Sequence, residues 1–185
     1  MKRVFIALDV SNEARGAIGR HIGALRKAFP DVRASWVPEQ NLHITMKFFG
    51  EIDESRVNAV LKIAEDAAAN TGQFALRLSE CGSFGRKVLF VGLADPNGEL
   101  MQLNQQIEPG AVAAGFATEK RKFNSHITIA RIRSERGAEK LIEAHNSSSI
   151  DPVEFAADGL VVYESTLSPG GSIYRALARI PFNER

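Results

Sequence analysis

The stretch Asn41-Leu42-His43-Ile44-Thr45-Met46-Lys47-Phe48-Phe49-Gly50 returns later in shortened form as Ser125-His126-Ile127-Thr128-Ile129-Ala130-Arg131. In an extended strand, side chains alternate faces with period two. His43, Thr45 and Lys47 therefore share one face, and Ile44, Met46 and Phe48 the other. In the second copy His126, Thr128 and Ala130 lie opposite Ile127 and Ile129. Each strand hides an apolar row and presents an imidazole with a hydroxyl beside it. A single pair of this kind is ordinarily a hydrogen-bonded structural feature. Two copies in 185 residues are poorly explained by accident. Duplication of a stable strand does not explain why the polar residues are the ones repeated.

Working outward, residues 3 to 9 read as a buried strand, and Ser11 or Asn12 offers a cap to a helix with the stripe Ala14, Ile18, Ile22, Leu25 and Phe29. Asp53 can cap a second helix whose apolar face is Val57, Val60, Leu61, Ala64 and Ala68. Strands are expected over 73–81 and 87–93 with a hairpin loop at Gly82 to Lys87. A helical stripe of Leu100, Leu103 and Ile107 follows, interrupted at Pro109-Gly110. Ser134 can cap a short helix carrying Ala138, Leu141, Ile142 and His145. The tail from Pro152 to Phe182 alternates as two strands joined by a turn at Leu167 to Ser172. His21 and His145 sit on helix faces and read as structural.

Composition narrows the function classes. The formal net charge is +1 with 24% charged residues, so no global field announces a polyanionic partner, and a nucleic acid would have to be gripped locally. The single cysteine, Cys81, excludes an internal disulfide; it is read as small core filler, leaving a metal site without thiolate ligands. No signal-peptide pattern and no membrane-length apolar run is present, and a cytoplasmic location is expected.

Several motifs together give the chain a family likeness. They are Arg3-Val4-Phe5-Ile6-Ala7-Leu8, Trp36-Val37-Pro38, the two histidine stretches, and Tyr163-Glu164-Ser165-Thr166-Leu167-Ser168-Pro169-Gly170-Gly171 followed by Tyr174. The chain resembles the two-histidine phosphoesterases, and within them the bacterial RNA 2′,3′-cyclic phosphodiesterases, also called 2′-5′ RNA ligases. The family's usual proline before the second histidine is replaced by Ser125. The predominance of strands without a repeated parallel βαβ series predicts an α+β fold. The resemblance implies two pseudo-symmetric lobes in one domain over 1–185, with mostly antiparallel sheets lining a central cleft and helices outside.

Opening a cyclic phosphate needs a base to take a proton from water and an acid to supply one to the departing ribose oxygen. With an ordinary pKa of about 6.5, one imidazole can be neutral while the other is protonated. The resemblance implies His126 as base and His43 as acid; the near-symmetric motifs alone allow either order. Thr45 and Thr128 can donate to the non-bridging oxygens. Lys47 can lend charge on the His43 face or be merely solvated. Phe49 shares the parity of His43 and can stack on a base, whereas Phe48 is expected in the core. The resemblance implies that Arg131 contacts phosphate; five residues after His126 is the wrong parity for a regular strand, so this needs a bulge or a strand end. Otherwise Arg131 is a structural salt-bridge residue. Tyr174 matches a family position near the cleft, although a buried tyrosine with a bonded hydroxyl fits equally well.

The expected activity is metal-independent hydrolysis of terminal 2′,3′-cyclic phosphates on RNA, leaving 2′-phosphate ends as the resemblance implies, with reverse 2′-5′ ligation open. A non-catalytic RNA-end binding module and a cyclic phosphodiesterase of small nucleotides are the alternatives. No cofactor, membrane or obligate protein partner is expected, and the chain is expected to be monomeric.

Overall fold

The computed structural model describes residues 1–168 and 171–184. Nine strands and four α-helices are present among them: β1 (Lys2–Asp9), α1 (Asn12–Ala28), β2 (Ala34–Trp36), β3 (His43–Ile52), α2 (Val57–Ala69), β4 (Phe74–Phe84), β5 (Val88–Ala94), α3 (Glu99–Ala113), β6 (His126–Ile132), α4 (Ala138–Asn146), β7 (Glu154–Ala157), β8 (Gly159–Ser168) and β9 (Gly171–Pro181). The sheet order is β7-β4-β5-β6-β3-β1-β8-β9, with β2 also on β6. Every ladder between these strands is antiparallel.

The sheet falls into two halves, β9-β8-β1-β3 and β6-β5-β4-β7, joined by the Ile44–Ile127 pair. Each half puts one histidine strand at the junction. The α+β reading with antiparallel sheets and helices outside holds. The helices pack on one side, where Val4, Ile6, Leu8, Ile44, Leu89, Val91 and Ile127 join Ile18, Val60, Leu103 and Leu141 in one apolar cluster. Two helices cross over. α1 follows β1 but reaches the second half, touching Cys81 of β4 and His145 of α4 through His21. α3 follows β5 but reaches the first half, where Asn104 donates to the Met46 carbonyl.

Ser11 caps α1, accepting from the Ala14 N–H at 3.2 Å. Six expectations are corrected. Asp53 caps a short 3₁₀ turn, Glu54–Arg56, without a side-chain bond, and α2 buries Ile63 and Ala67 where Leu61 was expected. α3 runs through Pro109, because burial of Ile107 and Ala111 on either side outweighs the one backbone bond proline forgoes. The cap of α4 is Gly137, at φ +74°, rather than Ser134. β4 extends through Phe84, so the hairpin loop is shorter, and the tail holds three strands, since β7 joins β4. Pro169 and Gly170 of the expected final turn lie outside the described residues.

Candidate active site

Both histidine strands are bulged at the same place. Against β1, Ala7 pairs with Thr45 and Ile6 with Lys47, so Met46 is passed over. Against β5, Phe90 pairs with Thr128 and Leu89 with Ala130, so Ile129 is passed over. In each strand the extra residue sits three positions after the histidine and reverses the face of the residues that follow; in β3 a second shift, which passes over Phe49 between the Phe5–Phe48 and Val4–Gly50 pairs, turns the face back again. His43 and Thr45 thus face the side away from the helices, and Lys47 turns back toward the core beside Ile6. Arg131, paired with Val88, returns to the His126 face and is exposed. The bulge that Arg131 needed is present. Antiparallel pairing through Ile44 and Ile127 sets His43 toward Thr128 and Thr45 toward His126 across the junction.

The two imidazoles are anchored alike. His43 Nδ1 lies 2.7 Å from the Asn41 carbonyl, and His126 Nδ1 lies 2.8 Å from the Asn124 carbonyl. A carbonyl only accepts, so both Nδ1 atoms carry hydrogen and both Nε2 atoms are left for chemistry. The Thr45 hydroxyl is 3.0 Å from His43 Nε2 and donates to it when that ring is neutral. Among the described residues Thr128 makes no such bond to His126.

Their surroundings differ. The His43 ring packs on Phe5, with centroids 4.9 Å apart, and meets Tyr174 edge-on at 5.3 Å. Asp9, its register partner on β1, accepts from Tyr163 at 2.6 Å, is paired with Arg179 at 2.5 Å and lies 3.5 Å from Arg15. Burial alone would raise the Asp9 pKa, but the bonds from Arg179 and Tyr163 outweigh it and keep the carboxyl ionised. Burial and the bond to Asp9 push Tyr163 up to about 12. Burial lowers the His43 pKa, opposed by the Asn41 bond and by Asp9 and reinforced by Arg15 and by the charge of His126. Arg15 also donates to the carbonyls of Val10, Glu39 and Gln40, which fixes the turn delivering Asn41.

His126 stands edge-on to Phe84 at 4.8 Å and touches Phe90 at 5.6 Å. Phe90 lies so close over Gly82 that a Cβ there would come within 2.5 Å of the ring, so only glycine admits this packing. Burial lowers the His126 pKa; the Asn124 bond opposes this and Arg131 adds to it.

Three sequence readings of this face are corrected. Lys47 is buried, 2.6 Å from Glu108 of α3 and 3.2 Å from the Ala117 carbonyl. Phe49 packs on Phe116 at 4.8 Å on the core side, while Phe48 is 48% exposed, opposite Phe5 and under the Arg3 guanidinium. Tyr174 does lie against His43. Sequence reasoning missed Asp9, Phe5, Phe84 and Phe90. Of these, Asp9 alone left a signal: a carboxylate ending an apolar strand.

The family model of the 2′-5′ RNA ligase superfamily matches residues 15–168. A protein of Thermotoga maritima named RNA 2′,3′-cyclic phosphodiesterase is 33% identical, covering 97% of this chain and 95% of its own. A protein of that name from Escherichia coli K12 is 28% identical over 96% and 95%. The crystal structure of E. coli LigT complexed with 3′-AMP superposes with a TM-score of 0.78 at 27% identity, covering 98% of both chains. With the family model spanning most of its length and both histidine strands inside that span, the chain belongs to the 2′-5′ RNA ligase superfamily.

Proposed function

We propose that the protein hydrolyses terminal 2′,3′-cyclic phosphates on RNA, leaving 2′-phosphate ends, with the two bulged strands as its catalytic machinery. The observation that carries this reading is the pairing of the two strands through Ile44 and Ile127, with both Nδ1 atoms tied to carbonyls, which leaves the Nε2 atoms, that of His43 beside the Thr45 hydroxyl, for proton transfer. His126 Nε2 takes a proton from water, whose oxygen attacks phosphorus. The bond from phosphorus to the ribose 3′ oxygen breaks, and His43 Nε2–H supplies that oxygen with its proton. Solvent then returns the proton from His126 and reprotonates His43. While His43 is protonated its Nε2–H is a donor, which frees the Thr45 hydroxyl to donate to a non-bridging oxygen alongside Thr128. Arg131, exposed beside His126, adds a planar charged donor for the phosphate.

Local charges support this division. Asp9 favours the protonated form of His43, opposed by Arg15 and the charge of His126, and Arg131 favours the neutral form of His126. Phe48 and Phe84, both exposed on this face, supply surfaces for bases. Neither half holds a complete site, so the chain works as one two-lobed unit. With a 5′-hydroxyl replacing water, the same groups in the same roles open the cyclic phosphate onto that hydroxyl and form a 2′-5′ linkage.

The test is an oligoribonucleotide ending in a 2′,3′-cyclic phosphate, incubated with the protein and a chelator. Turnover to a 2′-phosphate end is expected, faster than on a cyclic mononucleotide. Binding without turnover would make the protein an RNA-end module, and preference for the mononucleotide would make small nucleotides its substrates.

A further inference from the structure

On the helix-covered side of β4 and β5, three side chains from three elements converge: His21 of α1, Cys81 of β4 and His145 of α4. Their ligand atoms all lie within 4.8 Å of one another, and neither cleft histidine is among them. We propose that this cluster is a zinc site, with His21 Nε2, His145 Nδ1 and Cys81 Sγ as ligands and a fourth position open on the half-buried His21 side.

The distances fit one ion. Tetrahedral zinc, with bonds of about 2.0–2.1 Å to nitrogen and about 2.3 Å to sulfur, sets two nitrogens about 3.3 Å apart and nitrogen and sulfur about 3.6 Å apart. Here the two nitrogens are 2.9 Å apart, and His21 Nε2 is 3.8 Å from Cys81 Sγ. The remaining pair, His145 Nδ1 and Cys81 Sγ, lies within 4.8 Å and must close by up to about 1.2 Å for the ion to seat.

The tautomer is already set. His145 is fully buried, and its Nε2 lies 2.9 Å from the Phe90 carbonyl and 3.1 Å from the Gly82 carbonyl. Nε2 must therefore carry hydrogen, and the Nδ1 lone pair points at His21. Such a carbonyl behind a ligating imidazole is the usual device for holding it in its metal-binding orientation. Without metal, His21 Nε2–H donates to that lone pair. Binding moves the His21 proton to Nδ1 and releases the thiol proton to water, leaving two neutral imidazoles and one thiolate on the ion.

Two imidazoles and a thiolate with no carboxylate select a borderline-soft ion over magnesium or calcium. The ion would pin α1 and α4 to β4, and through the Phe90 carbonyl it would brace the strand whose ring touches His126.

The experiment uses the full chain stripped by chelator, titrated with zinc chloride by calorimetry and with cobalt chloride by absorption. One equivalent is expected to bind, with a thiolate-to-cobalt charge-transfer band and a rise in Tm of about 5 °C or more at saturating zinc. Cys81→Ala and His21→Ala avoid the risk of misfolding that a change at fully buried His145 carries. Each should weaken binding at least about a hundredfold, more than losing a residue that only orients a ligand. Absence of stoichiometric binding, a cobalt spectrum without the thiolate band, or tight binding retained by either variant would overturn the site.

Discussion

β3 and β6 are built to one plan and furnished differently. Each carries its histidine at the junction of the sheet halves, ties Nδ1 to the carbonyl two residues back, and bulges three residues on. Around His43 the sheet supplies a carboxylate, Asp9, held ionised by Arg179 and Tyr163; around His126 it supplies a guanidinium, Arg131. Equivalent positions have also diverged. Five residues after each histidine stand Phe48 and Arg131, both exposed on the cleft face, and four after stand buried Lys47 and buried Ala130. Duplicated backbone geometry thus fixes where the two imidazoles sit, and their charged neighbours differ, Asp9 beside His43 and Arg131 beside His126.

The harshest way to break this comparison is to remove either ring. His43→Ala and His126→Ala should each lower turnover at least about a hundredfold, the usual loss for a general acid or base. A folded single variant with near-normal turnover would take that histidine out of the mechanism. Next come the hydroxyls. Thr45→Val or Thr128→Val keeps the shape and removes a donor to a charged oxygen, which should cost about 1.5–3 kcal/mol in kcat/KM. If both variants kept wild-type kinetics, the hydroxyls would be structural.

The bulge gives a sharper contrast between neighbours. Phe48→Ala should raise KM for an oligonucleotide about tenfold, by loss of one stacking surface, without lowering Tm. Phe49→Ala should do the reverse, since its ring packs on Phe116. Smaller still is the effect on pH dependence. Burial lowers both histidines from their ordinary 6.5, so the acid loses its proton, and kcat/KM begins to fall, before the pH reaches that value. The bell should therefore peak below about pH 6.5. Around His43 the facing charges are Asp9, Arg15 and His126, and beside His126 it is Arg131. Asp9→Asn should move the His43 limb down and Arg131→Gln the His126 limb up; shifts in the same direction would refute the division of charge.

Much of this was legible in the chain. The duplicated His-x-Thr strands, the Ser11 cap and the apolar row of β1 follow from period and residue type. The bulges do not, because passing over Met46 and Ile129 is decided by pairing with β1 and β5, and nothing in either residue marks it. That one feature sent Lys47 and Phe49 to the core, brought Phe48 out and settled the parity of Arg131. The aromatic walls were also hidden: Phe5 meets Tyr174, and Phe84 meets His126, only after distant segments fold together. The same holds for His21, Cys81 and His145, which have no motif spacing and are gathered by the crossing of α1 onto the second half.

A change of leaving group tests most directly the proposed division of labour between the two imidazoles. An aryl phosphodiester releases a nitrophenolate that departs without needing a proton, so the acid becomes dispensable while the base does not. His43→Ala and His126→Ala would each be assayed on this ester and on a cyclic-phosphate-ended oligoribonucleotide. The expected result is recovery of most activity by His43→Ala on the aryl ester, with His126→Ala impaired on both substrates. Recovery by His126→Ala instead would contradict the assignment.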